Sequence, residues 1–380
     1  MIQAVFFLSI ALVLYVYLGY PLAALVLSRL RPRPVRKQEI EPSVSILIAA
    51  YNEESSIGAT IENKLNLDYP EDKLEIIVIS DGSTDNTDEI VRQYADQNVR
   101  LLRQEPRAGK TSALNLAINE VRGDIVVFSD ANSLYAPQAL RRLLSNFADP
   151  QVGYVTGKMV YANPDGSLVG DGCSSYMKYE NALRAIETQL CSVVGVDGGI
   201  DAVRRELYRP MRADQLPDFV LPLSVVEQGY RVVYEPEALL WESVLKEPAD
   251  EYRMRVRVSL RAFWALWDMR KLLGLQGNPL FAWQLWSHKV LRYLCFVFLT
   301  TMLISNTLLL QQGGFYSLLF LVQLLGYAGA LAMPLLEARG YQFSLLNFAR
   351  YFLLLNLAAA HAFGKFALGK KQVLWTPRKG

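Results

Sequence analysis

Val44-Ser45-Ile46-Leu47-Ile48-Ala49-Ala50, running directly into Tyr51-Asn52-Glu53-Glu54, decides the architecture of this chain. The run is almost wholly apolar, stops at a polar turn, and is too continuous for a strand with one wet face. It reads as a strand buried on both sides, the kind that a parallel sheet covered by helices requires. Leu74 to Ser80, Val99 to Leu102 and Asp124 to Ser129 repeat the pattern downstream. Amphipathic stretches fill the gaps and predict helices at about Ser55 to Asn66, Thr84 to Gln97, Thr111 to Val121 and Pro137 to Phe147, with Thr84 as a capping residue. Strands and helices alternating in this way define an α/β domain with a largely parallel sheet.

In such a sheet the ligand sits beyond the carboxyl ends of the strands, where loops and helix amino termini converge. Three polar clusters fall there: Tyr51-Asn52-Glu53-Glu54 after the first strand, Asp81-Gly82-Ser83-Thr84-Asp85 after the second, and Asp130-Ala131-Asn132 after the fourth. One acidic turn is ordinary loop chemistry. Three at one sheet edge point to a ligand site.

Outside this domain the apolar residues gather at the ends. Met1 to Ser28 carries no charge, and neither does Tyr293 to Leu336, which is broken only by Gln311-Gln312-Gly313-Gly314. A bilayer core about 30 Å thick needs about 20 apolar residues of helix, so the first run supplies one span and the second supplies two. The first run lacks the leading basic residues of a signal peptide and reads as an uncleaved anchor. Arg29, Arg31, Arg33, Arg36 and Lys37 follow it, a cluster normally kept on the cytoplasmic face, as in an inner or plasma membrane protein. Phe343 to Leu368 is interrupted by Arg350, His361 and Lys365, and either spans the membrane or lies in the interface. The chain therefore divides into an anchor (1–30), a cytoplasmic domain (42–274), amphipathic interfacial helices (275–292), two or three transmembrane helices (293–369) and a basic tail (370–380). The aromatic residues from Phe263 to Trp286 read as an interfacial belt against membrane lipids.

A net charge of +2 with no basic stripe excludes nucleic acid as a partner. Cys173, Cys191 and Cys295 are odd in number, far apart and without metal-ligand spacing, which fits thiols in a reducing compartment. His288 and His361 are the only histidines. Any metal must then be oxygen-ligated, such as Mg2+ or Mn2+.

AAYNEESSI, ISDGSTDNT, RAGKTSALN and VFSDANS, in this order, resemble glycosyltransferase family 2, and DFVLPLSVVEQGYRVVYEPEA extends the match over about residues 42 to 262. The resemblance implies an A-type glycosyltransferase (Rossmann-like, nucleotide-sugar-binding) domain between an N-terminal transmembrane helix and C-terminal transmembrane helices, in the cellulose synthase-like superfamily. It implies Ala50, Tyr51 and Glu53 along the base pocket, Asp81 on the uracil or ribose edge of a UDP-sugar, and Lys110 and Asn115 near the diphosphate or donor sugar. The family usually has Asp-x-Asp where this chain has Asp130-Ala131-Asn132, so Asp130 and Asn132 are the expected metal ligands. Asp218 matches the family's catalytic base, with Pro217 in place of the customary first acid and Asp214 as the fallback. A helix from Pro222 to Gly229 and a strand from Tyr230 to Tyr234 are expected to follow. Asp197, in the glycine loop before a further strand, is a candidate for sugar hydroxyls, loop stabilisation being the competing role. Arg257 and Arg261 stand where processive members carry Gln-x-x-Arg-Trp, and are candidates for the pyrophosphate. No Trp stands in the expected place, which argues for a non-processive enzyme.

The chemistry stands independently of the resemblance. A nucleoside diphosphate leaving group gains charge as the glycosidic bond breaks, and a carboxylate-held cation stabilises it. An inverting transfer needs a further carboxylate to take the acceptor's proton. Arg107-Ala108-Gly109-Lys110-Thr111 lacks the first glycine of a phosphate loop, since Gln104 stands there, so an ATPase is excluded. The expected function is an inverting, metal-dependent transfer to a lipid or glycan acceptor. A processive synthase, a nucleotidyltransferase and a noncatalytic membrane subunit remain alternatives, separated by product length, by pyrophosphate release and by indifference to Asp218→Asn. Donor sugar, acceptor and oligomeric state stay open.

Overall fold

The structure, a computed structural model, describes residues 1–162, 171–243, 248–274, 276–337, 339–341 and 343–373. An eight-stranded sheet forms the centre, in the order β3-β2-β1-β4-β7-β6-β8-β5. Its strands are β1 (Val44–Ala50), β2 (Leu74–Asp81), β3 (Val99–Gln104), β4 (Ile125–Asp130), β5 (Leu134–Tyr135), β6 (Val152–Ala162), β7 (Ile200–Arg204) and β8 (Arg231–Ser243). Every residue of β1 and β2 is buried, as continuous apolar runs between two helical layers must be. One layer of core packs Leu47, Ile77, Ile79, Val126 and Phe128 against the helix Lys110–Ala117. The other packs Ile46, Ile48, Ile76 and Val78 against the helices Ile57–Leu65 and Ala139–Ser145.

The expectation of a largely parallel sheet holds for β3-β2-β1-β4 and again for β6-β8, and fails at β7 and β5. β7 runs antiparallel to both β4 and β6, and β5 runs antiparallel to β8, while β6 and β8 are parallel. The helix expected from Thr84 to Gln97 is also shorter, a brief α-helix Thr87–Arg92 followed by a 3-10 turn Ala95–Gln97. Thr84 does not cap it: its N–H donates to Asn52 Oδ1 (2.8 Å), and Asp85 Oδ1 takes the Thr87 N–H and hydroxyl instead. The helix expected to begin at Pro222 begins at Pro217 and reaches Glu227. Proline is tolerated in a first turn, and Pro217 provides that start with Asp218 beside it. Downstream, β8 is far longer than the expected Tyr230 to Tyr234.

Among the described residues, three helices are long and apolar enough to cross a membrane: Ile2–Leu30, Cys295–Gln312 and Gly314–Glu337. The remaining apolar run forms the helix Ser344–Ala367, which lies along the helix Pro248–Asp268 through Val256, Leu260, Phe263, Ala358 and Ala362. The first of the three is fixed to the sheet domain by buried contacts: Tyr20 donates to Glu187 Oε1 (2.5 Å) and its ring meets Trp283 edge-on. The segment Pro279–Leu285 buries Phe281 and Leu285 completely in the sheet's core, so it belongs to the domain as much as to the interface. Cys191 and Cys295 are buried free thiols, whereas the side chain of Cys173 and the tail residues Arg378 and Lys379 lie outside the described residues.

Candidate active site

Because β1, β2 and β4 are parallel and in register, Ala50, Asp81 and Asp130 end at one edge of the sheet. The loops beyond them are tied together. Asn52, in the left-handed conformation that Asn tolerates (φ 54°), receives the Thr84 N–H, and Glu54 Oε2 receives both the N–H and the side-chain amide of Asn86. The first and second polar clusters are thus one rigid surface.

Asp81 is fully buried and acts as an anchor for the segment that precedes Lys110. Its carboxylate accepts from Ala108 N (2.8 Å), Gly109 N (3.0 Å) and Gln104 Nε2 (2.5 Å). Arg107 lies 3.5 Å from the same carboxylate, and its guanidinium covers the Tyr51 ring at 3.4 Å from the centroid. Such a planar cation on an aromatic face makes a flat slot that a nucleobase could share or replace. Residue spacing gave no sign of this stack. Glu53, near Asp130 and Asp85, has its carboxyl pushed up by burial and by those two charges, against the Ser56 hydroxyl that bonds it.

Lys110 is the meeting point of the site. Gly109, at φ +95°, turns the chain into the helix Lys110–Ala117, and the Lys110 ammonium lies 2.7 Å from Asp130 Oδ1 and 3.7 Å from Asp218 Oδ1. Burial opposes that ammonium, but Asp130 and Asp218 outweigh it and hold it protonated. Asp218 is pushed up by burial and by Asp130, with Lys110 and Arg261 pulling the other way. A carboxylate so placed is a stronger base than a free one. Its side chain is 30% exposed and leans on Gly198, where φ is +87° and a Cβ would come within 2.7 Å of the Asp218 carboxyl carbon. Only glycine fits there.

The glycine loop is itself held from behind. Arg184 pairs with both oxygens of Asp197 (2.5 and 2.7 Å) and donates to the Gly195 carbonyl (3.0 Å), so the structure commits the Asp197 side chain to loop support. Asn115 is likewise engaged: its amide bonds the Met211 carbonyl (2.5 Å) and its oxygen takes the Tyr208 hydroxyl (2.9 Å). It braces the loop leading to Asp218. Arg261 bonds the Gln215 carbonyl and Thr111 Oγ1 (3.3 Å), with its Nε buried and unpartnered among the described residues. Burial lowers its pKa to about 10, helped by Arg257 and opposed by Asp218 and Asp214. Asp214, the fallback base, pairs with Arg212 and Lys371. Beyond Lys371, the Val373 carbonyl packs against Gly109, so the chain's tail crosses the edge of the site.

Among the described residues no three His, Cys, Asp or Glu side chains group closely enough to enclose a metal ion. Asp130, 37% exposed, and Asn132 beside it on the same turn offer hard oxygen donors and nothing softer. That set fits Mg2+ or Mn2+, which take one or two carboxylates and complete their shell with phosphate and water.

A parallel half sheet joined to a mixed half, with polar clusters and carboxylates gathered at one strand edge, is the architecture of a nucleotide-sugar glycosyltransferase of the A-type fold. Residues 45–208 match the model of glycosyl transferase family 2. The poly-beta-1,6-N-acetyl-D-glucosamine synthase of Staphylococcus epidermidis is 27% identical over 286 residues, 72% of this chain and 69% of that protein. A probable glycosyltransferase of Bacillus subtilis, YdaM, is 28% identical over 62% of this chain and 55% of its own length. Among solved structures, the mannosyltransferase PcManGT from Pyrobaculum calidifontis, in complex with GDP-Man and Mn2+, superposes with a TM-score of 0.75 at 24% identity, over 97% of this chain and all of that one. The fold therefore extends through the apolar helices as well as the sheet. The chain is a hexosyltransferase-type glycosyltransferase.

Proposed function

We propose that the protein moves one sugar, with inversion, from a nucleoside diphosphate sugar to the hydroxyl of a membrane-associated acceptor. The observation that carries this reading is the convergence of Asp130 and Asp218 on the Lys110 ammonium. The donor's diphosphate belongs on the Asp130 side, with Tyr51, Glu53 and Asp81 framing the base. Lys110 then supplies positive charge to the phosphates, and Arg261, with its unpartnered Nε, a second cation. Asp218, across the lysine, takes the proton as the acceptor oxygen bonds to the anomeric carbon and the bond to the diphosphate oxygen breaks. A divalent cation held by Asp130 and Asn132 supplies neutralising charge to the leaving group when bound.

UDP is the carrier favoured by the family resemblance; the GDP-Man held by PcManGT makes GDP the alternative to test. The cytoplasmic face follows from the basic cluster after the first span. A polymerising activity is the second reading, favoured by the names of the Staphylococcus relatives. Nucleoside diphosphate release by the detergent-solubilised protein, over a panel of UDP- and GDP-sugars with Mg2+, Mn2+ or chelator, tests the first reading. Release from one donor should vanish with chelator and fall by roughly 10²–10⁴-fold in Asp218→Asn. Metal-independent release, or an undiminished Asp218→Asn variant, would sink the mechanism. Product length from the active donor separates single transfer from polymerisation.

A further inference from the structure

Behind the glycine loop lies a second cavity, of about 90 Å³, outside the donor site. Tyr17 of the first apolar helix, Tyr176, the helix Pro248–Asp268 and the helix Ser344–Ala367 wall it, and Arg255, His288, Lys289 and Arg292 line it. Among the described residues that line it there is no carboxylate. The acids that balance these cations stand behind them: Glu251 on Arg255 (2.7 Å), Glu180 on Arg292 (2.5 Å) and Glu187 on His288 (2.7 Å). Lys289 differs from the others. Among the described residues no carboxylate lies within ion-pair reach of its ammonium, and burial lowers its pKa, with Arg292 and Arg184 adding to the effect and Glu180 and Glu187 opposing it. An ammonium kept in such a place without an anion is costly unless a ligand brings one.

The position of Lys289 ties this cavity to the chemistry. Its side chain lies so close over Gly195 that a Cβ there would collide with Nζ and Cε, and its ammonium is 5.9 Å from the centre of the Phe219 ring. Phe219 follows Asp218, and Gly198 of the same loop touches the Asp218 carboxyl. The base needs a hydroxyl, and the cavity needs an anion. One molecule satisfies both if it carries a sugar hydroxyl and a phosphate.

We propose that Lys289, with Arg255 and Arg292, forms an acceptor-phosphate subsite, and that the acceptor is a sugar joined through phosphate to a lipid. This rests on the transferase reading above and names its acceptor class. Tyr17, on the first apolar helix, and Leu355, on the helix Ser344–Ala367, give the cavity an apolar wall for the tail of such a lipid.

The test compares two acceptors with the active donor: N-acetylglucosamine carried on a short-chain prenyl diphosphate, and the uncharged octyl glycoside of the same sugar. Wild type should prefer the first in kcat/KM by roughly tenfold or more, the scale of one charge-assisted contact. Lys289→Met should bring that ratio close to one, mainly through KM, whereas Lys289→Arg should keep it. A monodisperse elution profile and a wild-type melting temperature for Lys289→Met show that the loss is local. Equal use of the two acceptors by wild type, or a ratio unmoved in Lys289→Met, overturns the subsite and leaves the transferase standing. Inorganic phosphate that competes as well as the prenyl diphosphate carrier would overturn the lipid assignment. No nucleotide release from any donor would instead remove the transferase reading, and this inference with it.

Discussion

Asp201 is the second residue of β7, opposite Phe128 on one side and Thr156 on the other, and is 1% exposed. Neither carboxylate oxygen has a hydrogen-bond partner among the described residues, nor does the adjacent Thr156 hydroxyl. Burial raises its pKa to about 7, with the charges of Asp218 and Asp197 adding to the effect. The unfolded value is about 3.9, so the folded state holds a proton that the unfolded state gives up. Stability must therefore fall as pH rises from about 4 towards 7, and level off above. The loss is on the order of 4 kcal/mol as an upper bound. Asp201→Asn mimics the protonated acid and gives Thr156 a donor. Thermal unfolding in detergent should show a higher melting temperature for this variant at pH 8 and little difference at pH 4. An equal gain at both values would mean that the proton is not the cause.

The same residue shows where sequence reading stops. A charged side chain within Ile200-Asp201-Ala202-Val203 is visible as an oddity in an apolar strand. Its neighbours on β4 and β6, which set its chemistry, are not. Asp81, Asp130 and Asp218 were recognisable because strand ends and family motifs mark them. Arg107 on Tyr51, Arg184 behind the glycine loop, and Lys289 over Gly195 are pairings between distant segments, and no local pattern encodes them. Asn115 was recognisable as a motif residue, but its partners Tyr208 and Met211 belong to a loop about a hundred residues away.

At the scale of elements, the parallel half of the sheet was legible because its strands are buried on both faces and read as unbroken apolar runs. β6 was not, since Gly153 and Gly157 interrupt it. Both glycines are explained only by the fold: a Cβ at Gly153 would meet Leu207, Val225 and Tyr230, and one at Gly157 would meet the Ala238 carbonyl at 2.5 Å. Gly198 is the loop's counterpart, and it allows a sharp test. Gly198→Ala places a methyl 2.7 Å from the Asp218 carboxyl carbon, in a backbone conformation that already disfavours it. Displacing a base by about 1 Å costs roughly 100-fold in rate. Kinetics should show kcat reduced by about that factor with the donor KM little changed. Gly229 has nearly the same conformation, φ +89°, and a methyl there would have no neighbour within 4 Å among the described residues. Gly229→Ala should then lose about 1–2 kcal/mol of stability from backbone strain and retain its turnover. If both variants lose turnover alike, strain rather than contact with Asp218 is responsible.

Across the whole molecule, a line of contacts joins the first apolar helix to Asp218. Tyr20 bonds Glu187, whose other oxygen takes the Val194 N–H (3.1 Å) at the entry to the glycine loop. Arg184, one helical turn before Glu187, fixes Gly195 and Asp197, and the loop ends against Asp218 at Gly198. The apolar helix is thereby a structural partner of the glycine loop as well as a candidate membrane span. Tyr20→Phe keeps the ring against Trp283 and removes only the hydroxyl that meets Glu187. Leaving that buried carboxylate one donor short should cost about 1–3 kcal/mol, seen as a lower melting temperature in detergent. Because Glu187 also holds Val194, the acceptor KM should rise in the same variant while the donor KM, which the proposed function assigns to the side of Asp81 and Lys110, stays near wild type. A variant that lost stability with both KM values unchanged would show that the helix anchors the domain without shaping the loop, and would confine its role to the membrane.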